Sequence, residues 1–250
     1  MKKNEGMNLI RREFLRAAGI ATGGLALGVL PFGARTASSA DAGLKIGVVG
    51  SGRIGSTLGG VWLKAGHEVM FSSLDLEQDK ALAARLGGKA RAGTTREAAA
   101  FGEVILMAVP YSAVPQVGKD LGALLKGKVV IDACNPIVAR DGEIATWARE
   151  KGAGYASAEL LPGARIVRAF NAVGYATMGA ASQRQGERFG MPMAGDDAGA
   201  IAVASRLVRE IGYEPVVVGT LAMGKYLIPG TPLGGENPPE KIRQIAATLK

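Results

Sequence analysis

The sequence predicts an α/β fold of the Rossmann type, a doubly wound parallel sheet with a small C-terminal extension. Three observations carry that expectation. Short apolar runs recur along the chain with helix-period segments between them, the alternation that builds βαβ units. A glycine-rich turn, Gly50-Ser51-Gly52-Arg53-Ile54-Gly55, falls between the first such run and the first helical segment. The 250 residues are 48% hydrophobic and 21% charged, enough to bury one sizeable core, and the 37 glycines fall largely at turns.

The elements follow in order. Leu44 to Val49 reads as a buried parallel strand, and Gly55 to Lys64 as a helix whose apolar face holds Leu58, Val61 and Trp62, with Ile54 just before it. Gly66-His67 turns the chain into a second strand, Glu68 to Ser73. A helix over Leu76 to Leu86, a weak strand over Lys89 to Ala92 and a short helix over Arg96 to Ala100 lead to the strongest strand, Val104 to Val109. Pro110 ends it, because proline lacks the amide hydrogen that would extend the ladder. A helix over Ala113 to Leu125 precedes a strand over Lys128 to Asp132, and Asn135-Pro136 marks the loop after it. Beyond lie a helix near Ile144 to Glu150 and a strand over Arg165 to Phe170. The strand over Phe189 to Ala194 contains a proline, which predicts an edge position. Asp196-Asp197 open a helix over Ala198 to Ile211, their carboxylates set where free amide hydrogens need acceptors. Glu214 to Val218 is the last strand, before a proline-rich tail and a final helix reaching Lys250.

The first forty residues read as an address. Arg11-Arg12-Glu13-Phe14-Leu15 precedes the apolar, glycine-rich stretch from Ala17 to Leu30, and small residues surround Ser39-Ala40. A basic region, a short apolar region and a cleavage-like site make a secretory signal, and the paired arginines resemble the twin-arginine signal of bacteria. The alternative is an N-terminal helix that stays as a membrane anchor. The expected organisation is a leader over residues 1–40 removed near Ala40, a dinucleotide-binding domain over 41–220, and a tail with a helix over 221–250. The expected location is the periplasm, or outside the cell, reached through the twin-arginine export machinery.

Half of the net charge of +8 sits in that leader, and the rest of the chain has no run of Lys and Arg interleaved with aromatics. Nucleic acid is therefore not expected as a partner. One cysteine, Cys134, excludes an intramolecular disulfide and a cysteine-based zinc cluster, and one histidine, His67, argues against a metal site or a Ser-His-Asp hydrolase. Cys134 and His67 read as structural, and Trp62 and Trp147 as core.

The glycine turn carries the chemistry. Gly50 permits the tight turn, Gly52 lets the backbone approach a pyrophosphate, and Gly55 lets the helix pack on the strand. The end of the second strand should choose between NAD and NADP. Ser72 and Ser73 stand there, either as acceptors of a 2′-phosphate or as turn-formers, and Arg53 could reach the same region. The phosphorylated cofactor is the favoured reading, with NAD possible.

Several segments together are similar to the deazaflavin (coenzyme F-420)-dependent NADP oxidoreductase family. They are the glycine turn, Ala65-Gly66-His67-Glu68-Val69, Val109-Pro110, Val129 to Pro136, Ala169-Phe170-Asn171 and Ala194-Gly195-Asp196-Asp197. The cofactor-binding half is also similar to the reductase domains of six-transmembrane ferric reductases and to the N-terminal fold of pyrroline-5-carboxylate reductase. The resemblance implies hydride transfer between NADPH and a flat small-molecule acceptor, such as a deazaflavin or flavin. It implies Ser51 near the nicotinamide, with Pro110, Asn135 and Asn171 around the ring, Val109 among the cofactor-binding residues, and a possible homodimer. Two positions depart from that pattern. Leu74 stands where relatives often carry an arginine, and Asn171 where the deazaflavin enzymes carry a histidine.

Overall fold

A computed structural model describes residues 43–249, so the expected leader lies outside the described residues. The described chain forms an eight-stranded sheet of order β3-β2-β1-β4-β5-β6-β7-β8. The strands are β1 (Lys45–Val49), β2 (Glu68–Ser72), β3 (Ala90–Ala92), β4 (Val104–Met107), β5 (Val129–Asp132), β6 (Arg165–Arg168), β7 (Gly190–Gly195) and β8 (Glu214–Gly219). Strands β1 to β6 pair in parallel, the doubly wound order with its reversal between β1 and β4.

The central strands are apolar on both faces because helices cover both. Ile46, Val48, Val104, Leu106, Val129 and Ile131 point into one core, together with Leu58 and Trp62 of α1 (Arg53–Lys64) and Leu207 and Val208 of α9 (Ala198–Ile211). Their neighbours in sequence, Val49, Ile105, Met107 and Val130, point into the other. That second core also holds Ala99 of α3 (Thr95–Phe101) and Leu121 and Leu125 of α4 (Val114–Leu125). Strict alternation between two buried faces is why these strands read as continuous apolar runs.

Helix starts follow local chemistry. Asp75 accepts from the Gln78 amide at the start of α2 (Leu76–Leu86). Thr94 and Glu97 form a reciprocal capping box on α3. Of the paired aspartates before α9, Asp197 caps the helix through the Ala200 amide, whereas Asp196 reaches across to accept from the Leu221 amide.

Three helices were not expected from periodicity: α5 (Val138–Asp141), α7 (Ala153–Leu160) and α8 (Tyr175–Ala181). Between α5 and α7 runs α6 (Glu143–Lys151). The α7 and α8 sequences are built of small residues, so they pack by close approach and carry a weak apolar stripe. Gly154 of α7, for example, lies against the Leu221 carbonyl, where a Cβ would collide.

Two expectations about the sheet are corrected. The sheet is not wholly parallel, because β7 runs antiparallel to β6. Nor is β7 an edge strand: it lies between β6 and β8 and is buried throughout. Its proline is tolerated because β7 meets β6 only at Ala194 and Gly195, leaving Pro192 beyond their pairing. The edge is β8, which pairs in parallel with β7. The tail is not a detached appendage. A 3-10 turn over Leu221–Tyr226 and helix α10 (Pro239–Thr248) close a small core of Ala194, Val216, Leu227, Leu233 and Ile242.

His67 is fully buried and ties two elements together. It accepts from the Leu44 amide at Nδ1, and its Nε2 lies 2.7 Å from Glu210 of α9. Cys134 is buried in the second core, as expected, and burial followed by the nearby Asp132 carboxylate pushes its thiol pKa up, away from thiolate chemistry. Trp62 is a core residue, while Trp147 packs half-buried at its margin.

Candidate functional site

The glycine turn lies at the carboxyl end of β1, at the strand-order reversal where open α/β sheets hold their ligands. The amides of Gly50 and Ser51 both donate to the Ser72 carbonyl at 2.9 Å, so the turn is lashed to the end of β2. Gly50 has φ +102°, and a Cβ there would strike the Ala108 carbonyl. A Cβ on Gly55 would strike the Gly50 carbonyl, so α1 starts as near the strand as a backbone can. At Gly52 the position of a Cβ is open space, with nothing within 4 Å.

That open space suits a phosphate group. The first turn of α1 contains no acidic residue, and its leading amides have no carbonyl within the helix to bond. Ile54 packs against the main core, so it offers a backbone amide and not a side chain to a ligand. Beside the turn lies a largely apolar recess of about 420 Å³, bounded by Gly50, Gly52, Ser73, Leu74, Val109, Pro110 and Val117 among others. A flat heterocycle such as adenine fits a recess of that size and character. The residues present therefore fit a dinucleotide whose pyrophosphate lies over Gly52.

Ser72 and Ser73 have different roles. The Ser72 side chain is fully buried and donates to the Val48 carbonyl at 2.7 Å, so it is not a cofactor contact but a strand-to-strand tie. Ser73 stays at the recess, donating to Asp79 Oδ2 at 2.8 Å. Ser51 is also corrected. Its hydroxyl donates to Asp79 Oδ1, so it faces α2 and the end of β2, away from the strands that carry Asn135 and Asn171. Arg53 does not reach the end of β2 either. Its guanidinium lies 5.3 Å from the ring centre of Tyr175 on α8, held there by cation–π attraction.

Asp79 is the residue that sequence reasoning missed. It is fully buried, with each carboxylate oxygen taking a serine hydroxyl, and it joins the glycine turn to the loop after β2. A usable signal was present, since Asp79 precedes the buried Leu82 and Ala83 at i+3 and i+4 and so lies on the inward face of α2.

On the other side of the reversal, Asn135 and Asn171 do come together. Asn135 Nδ2 donates to the Asn171 carbonyl at 2.9 Å, and Asn171 Nδ2 lies 3.3 Å from Asn135 Oδ1. Asn171 Oδ1 is buried without a hydrogen-bond partner, an orphaned acceptor beside the loop. Phe170, just before it, has φ +66°, a conformation that non-glycine residues rarely hold.

Beneath this pair lies an ion pair excluded from water. Arg168 donates from Nη1 to Asp132 at 2.5 Å and from Nη2 to the Cys134 carbonyl at 3.1 Å, fixing the ends of β5 and β6 against each other. Asp141 braces the next loop. Burial opposes its charge, but hydrogen bonds from Arg140 and from the Ile137 and Ser112 amides outweigh that effect and hold its pKa down to about 2.

Residues 45–136 match the family model described as NADP oxidoreductase, coenzyme F420-dependent. No curated protein matches the chain. Among solved structures, the hypothetical protein SMa0349 from Sinorhizobium meliloti is similar at 25% identity and a TM-score of 0.65, covering 78% of this chain and 95% of that one. A protein from Arthrobacter sp. FB24, named as a candidate F420-dependent NADP reductase, is similar at 21% identity and TM-score 0.60, covering 73% and 88%. An imine reductase from Pseudomonas sp. gives 17% identity and TM-score 0.54, covering 73% of this chain and 57% of its own. The latter two share the fold alone at such identities. The chain thus carries a Rossmann-type fold of the kind found in NAD(P)-dependent dehydrogenases and reductases.

Proposed function

We propose that this protein is an NAD(P)H-dependent oxidoreductase that moves a hydride between the nicotinamide and a planar acceptor such as a deazaflavin or flavin. The observation that carries the reading is the open space over Gly52, beside an apolar recess at the strand-order reversal. Bound there, a reduced nicotinamide dinucleotide supplies the hydride. The chain's own task is to bind, orient and keep water out. The amides of Gly50 and Ser51 are spent on the Ser72 carbonyl, so the amides from Gly52 into the first turn of α1 would hold the pyrophosphate. Val109 and Pro110 flank the recess for the adenosine half, and the part-buried Asn135, bonded to the buried Asn171, stands at the far end, toward which the nicotinamide half would extend. A hydride moves directly between two stacked rings, so positioning supplies most of what such a site needs.

The same proposal places the protein outside the cytoplasm, exported folded through the twin-arginine machinery. It rests on Arg11-Arg12-Glu13-Phe14-Leu15 and the apolar stretch behind it. Every described strand and helix lies between Lys45 and Thr248, so removal near Ala40 takes none of them away. N-terminal sequencing of the exported form tests this, and a retained leader refutes it.

The activity is tested by following NADH and NADPH absorbance in the presence of a deazaflavin, a flavin, a ferric chelate and a cyclic imine. Steady oxidation with a planar acceptor is the expected result. Turnover confined to the ferric chelate or the imine replaces the acceptor proposed here. Tight dinucleotide binding with no turnover in any arm makes the protein a cofactor carrier or sensor and refutes the enzymatic reading.

A further inference from the structure

We infer that the loop after β2 is a selectivity site that accepts the free ribose diol of NAD(H) and disfavours the 2′-phosphate of NADP(H), with Ser73, Leu74 and Asp79 as its determinants. The inference rests on the reading of the glycine turn as a dinucleotide cradle.

The first argument concerns protons. A serine hydroxyl has one, and that of Ser73 is committed to Asp79 Oδ2 at 2.8 Å, with the Asp75 carbonyl at 3.2 Å as its other acceptor within reach. The Ser73 oxygen accepts from the Asp75 amide at 3.1 Å and is left with one lone pair, which suits a ribose hydroxyl that donates. A phosphate dianion brings acceptors only, and two acceptors facing each other repel. The Ser51 hydroxyl is spent on the same carboxylate.

The second argument concerns charge. The N-terminal end of α2 already carries Asp75, Glu77 and Asp79, the last of them buried without a cationic partner. Of the cations on neighbouring elements, Lys80 pairs with Glu77 at 2.8 Å, Arg53 lies on Tyr175, and Arg96 donates to the Asp120 carbonyl. None of the residues lining the recess is basic, and one, Asp75, is acidic. A 2′-phosphate would add its charge to a negative field with no guanidinium fork to receive it.

The third concerns Leu74, whose side chain is fully exposed at the rim of the recess. An apolar side chain there gains by covering the adenosine and offers nothing to a phosphate.

The test titrates the full chain with ADP-ribose and with 2′-phospho-ADP-ribose by calorimetry, which isolates the adenosine half from any acceptor. NADH and NADPH are compared in parallel by fluorescence. ADP-ribose and NADH should bind about tenfold or more tighter than their 2′-phosphorylated counterparts. Leu74→Arg, a change at an exposed position, should shift the preference between ADP-ribose and its 2′-phosphorylated counterpart by about tenfold toward the phosphorylated ligand. Equal or tighter binding of the phosphorylated ligands by the wild type overturns the inference. A Leu74→Arg variant with unchanged preference overturns the role given to Leu74. Failure of all four ligands to bind refutes instead the dinucleotide reading, and this inference falls with it.

Discussion

Replacing Gly52 with alanine separates what the glycine turn does for the fold from what it does for a ligand. Gly52 has φ −60° and ψ −160°, extended backbone that alanine adopts, and its added Cβ would touch nothing within 4 Å. Two small terms act on stability. Alanine restricts the unfolded chain, a gain of about 0.4–1 kcal/mol. It is also a poorer residue than glycine at a helix N-cap, a loss of roughly 0.5–1 kcal/mol. They nearly cancel, so the unfolding midpoint should stay within about 2 °C of the wild type. Binding has no such compensation. The methyl group occupies the space over which the pyrophosphate lies and would hold it off the turn, weakening one or two charge-assisted hydrogen bonds. At about 2–3 kcal/mol in total, that is a loss of roughly 30- to 150-fold in dinucleotide affinity. Calorimetric titration and thermal unfolding on the same preparations measure both quantities. An affinity within about twofold of wild type would refute the placement of the pyrophosphate, and a midpoint lowered by many degrees would show that the space is needed by the fold itself.

Two further predictions concern the frame of the site. Arg168→Met leaves the Asp132 carboxylate buried without its cation and should cost about 3–5 kcal/mol in urea unfolding, whereas adding Asp132→Asn should recover a large part of that loss. A double variant no more stable than the single one refutes the ion-pair account. Acid should destabilise the protein in a defined window. Asp141 and Asp197 have folded pKa values of about 2 against an ordinary 3.8, for Asp197 because Arg165 and then the Ala200 amide donate to it. A depressed carboxylate stabilises above the unfolded value and loses that contribution as pH falls from about 4 to about 2. For the buried Asp141 the loss is roughly 2 kcal/mol. Urea unfolding at pH 7, 4 and 2.5 checks it, and equal stability at pH 4 and 2.5 refutes it.

Much of the fold was legible because its strands are buried on both faces. Runs such as Val104 to Met107 have no competing reading once helical segments flank them, and the bounds of α2 and α9 coincide with those expected. The failures have physical reasons. Small-residue helices such as α7 declare themselves through close approach to other elements, which is a tertiary fact. Pro192 was read through its own missing hydrogen, but the extent of its neighbour's pairing decided its place. At the candidate site, the position of the glycine turn between β1 and α1 was legible in the sequence, and Asn135 and Asn171, named there through a resemblance, lie together in the structure. The directions of Ser72, Ser51 and Arg53 were not legible, because each is set by a distant partner: Val48, Asp79 and Tyr175 respectively.

The double attachment of the turn to the Ser72 carbonyl has a kinetic consequence. Gly50 and Ser51 have their backbone shape held by hydrogen bonds to a neighbouring strand. The cradle is therefore preorganised, and a ligand arriving there has no loop to order before it docks. Association should be similar for ligands of similar size and charge, and their residence times, set by what each finds at Ser73 and Leu74, should carry most of the discrimination among them.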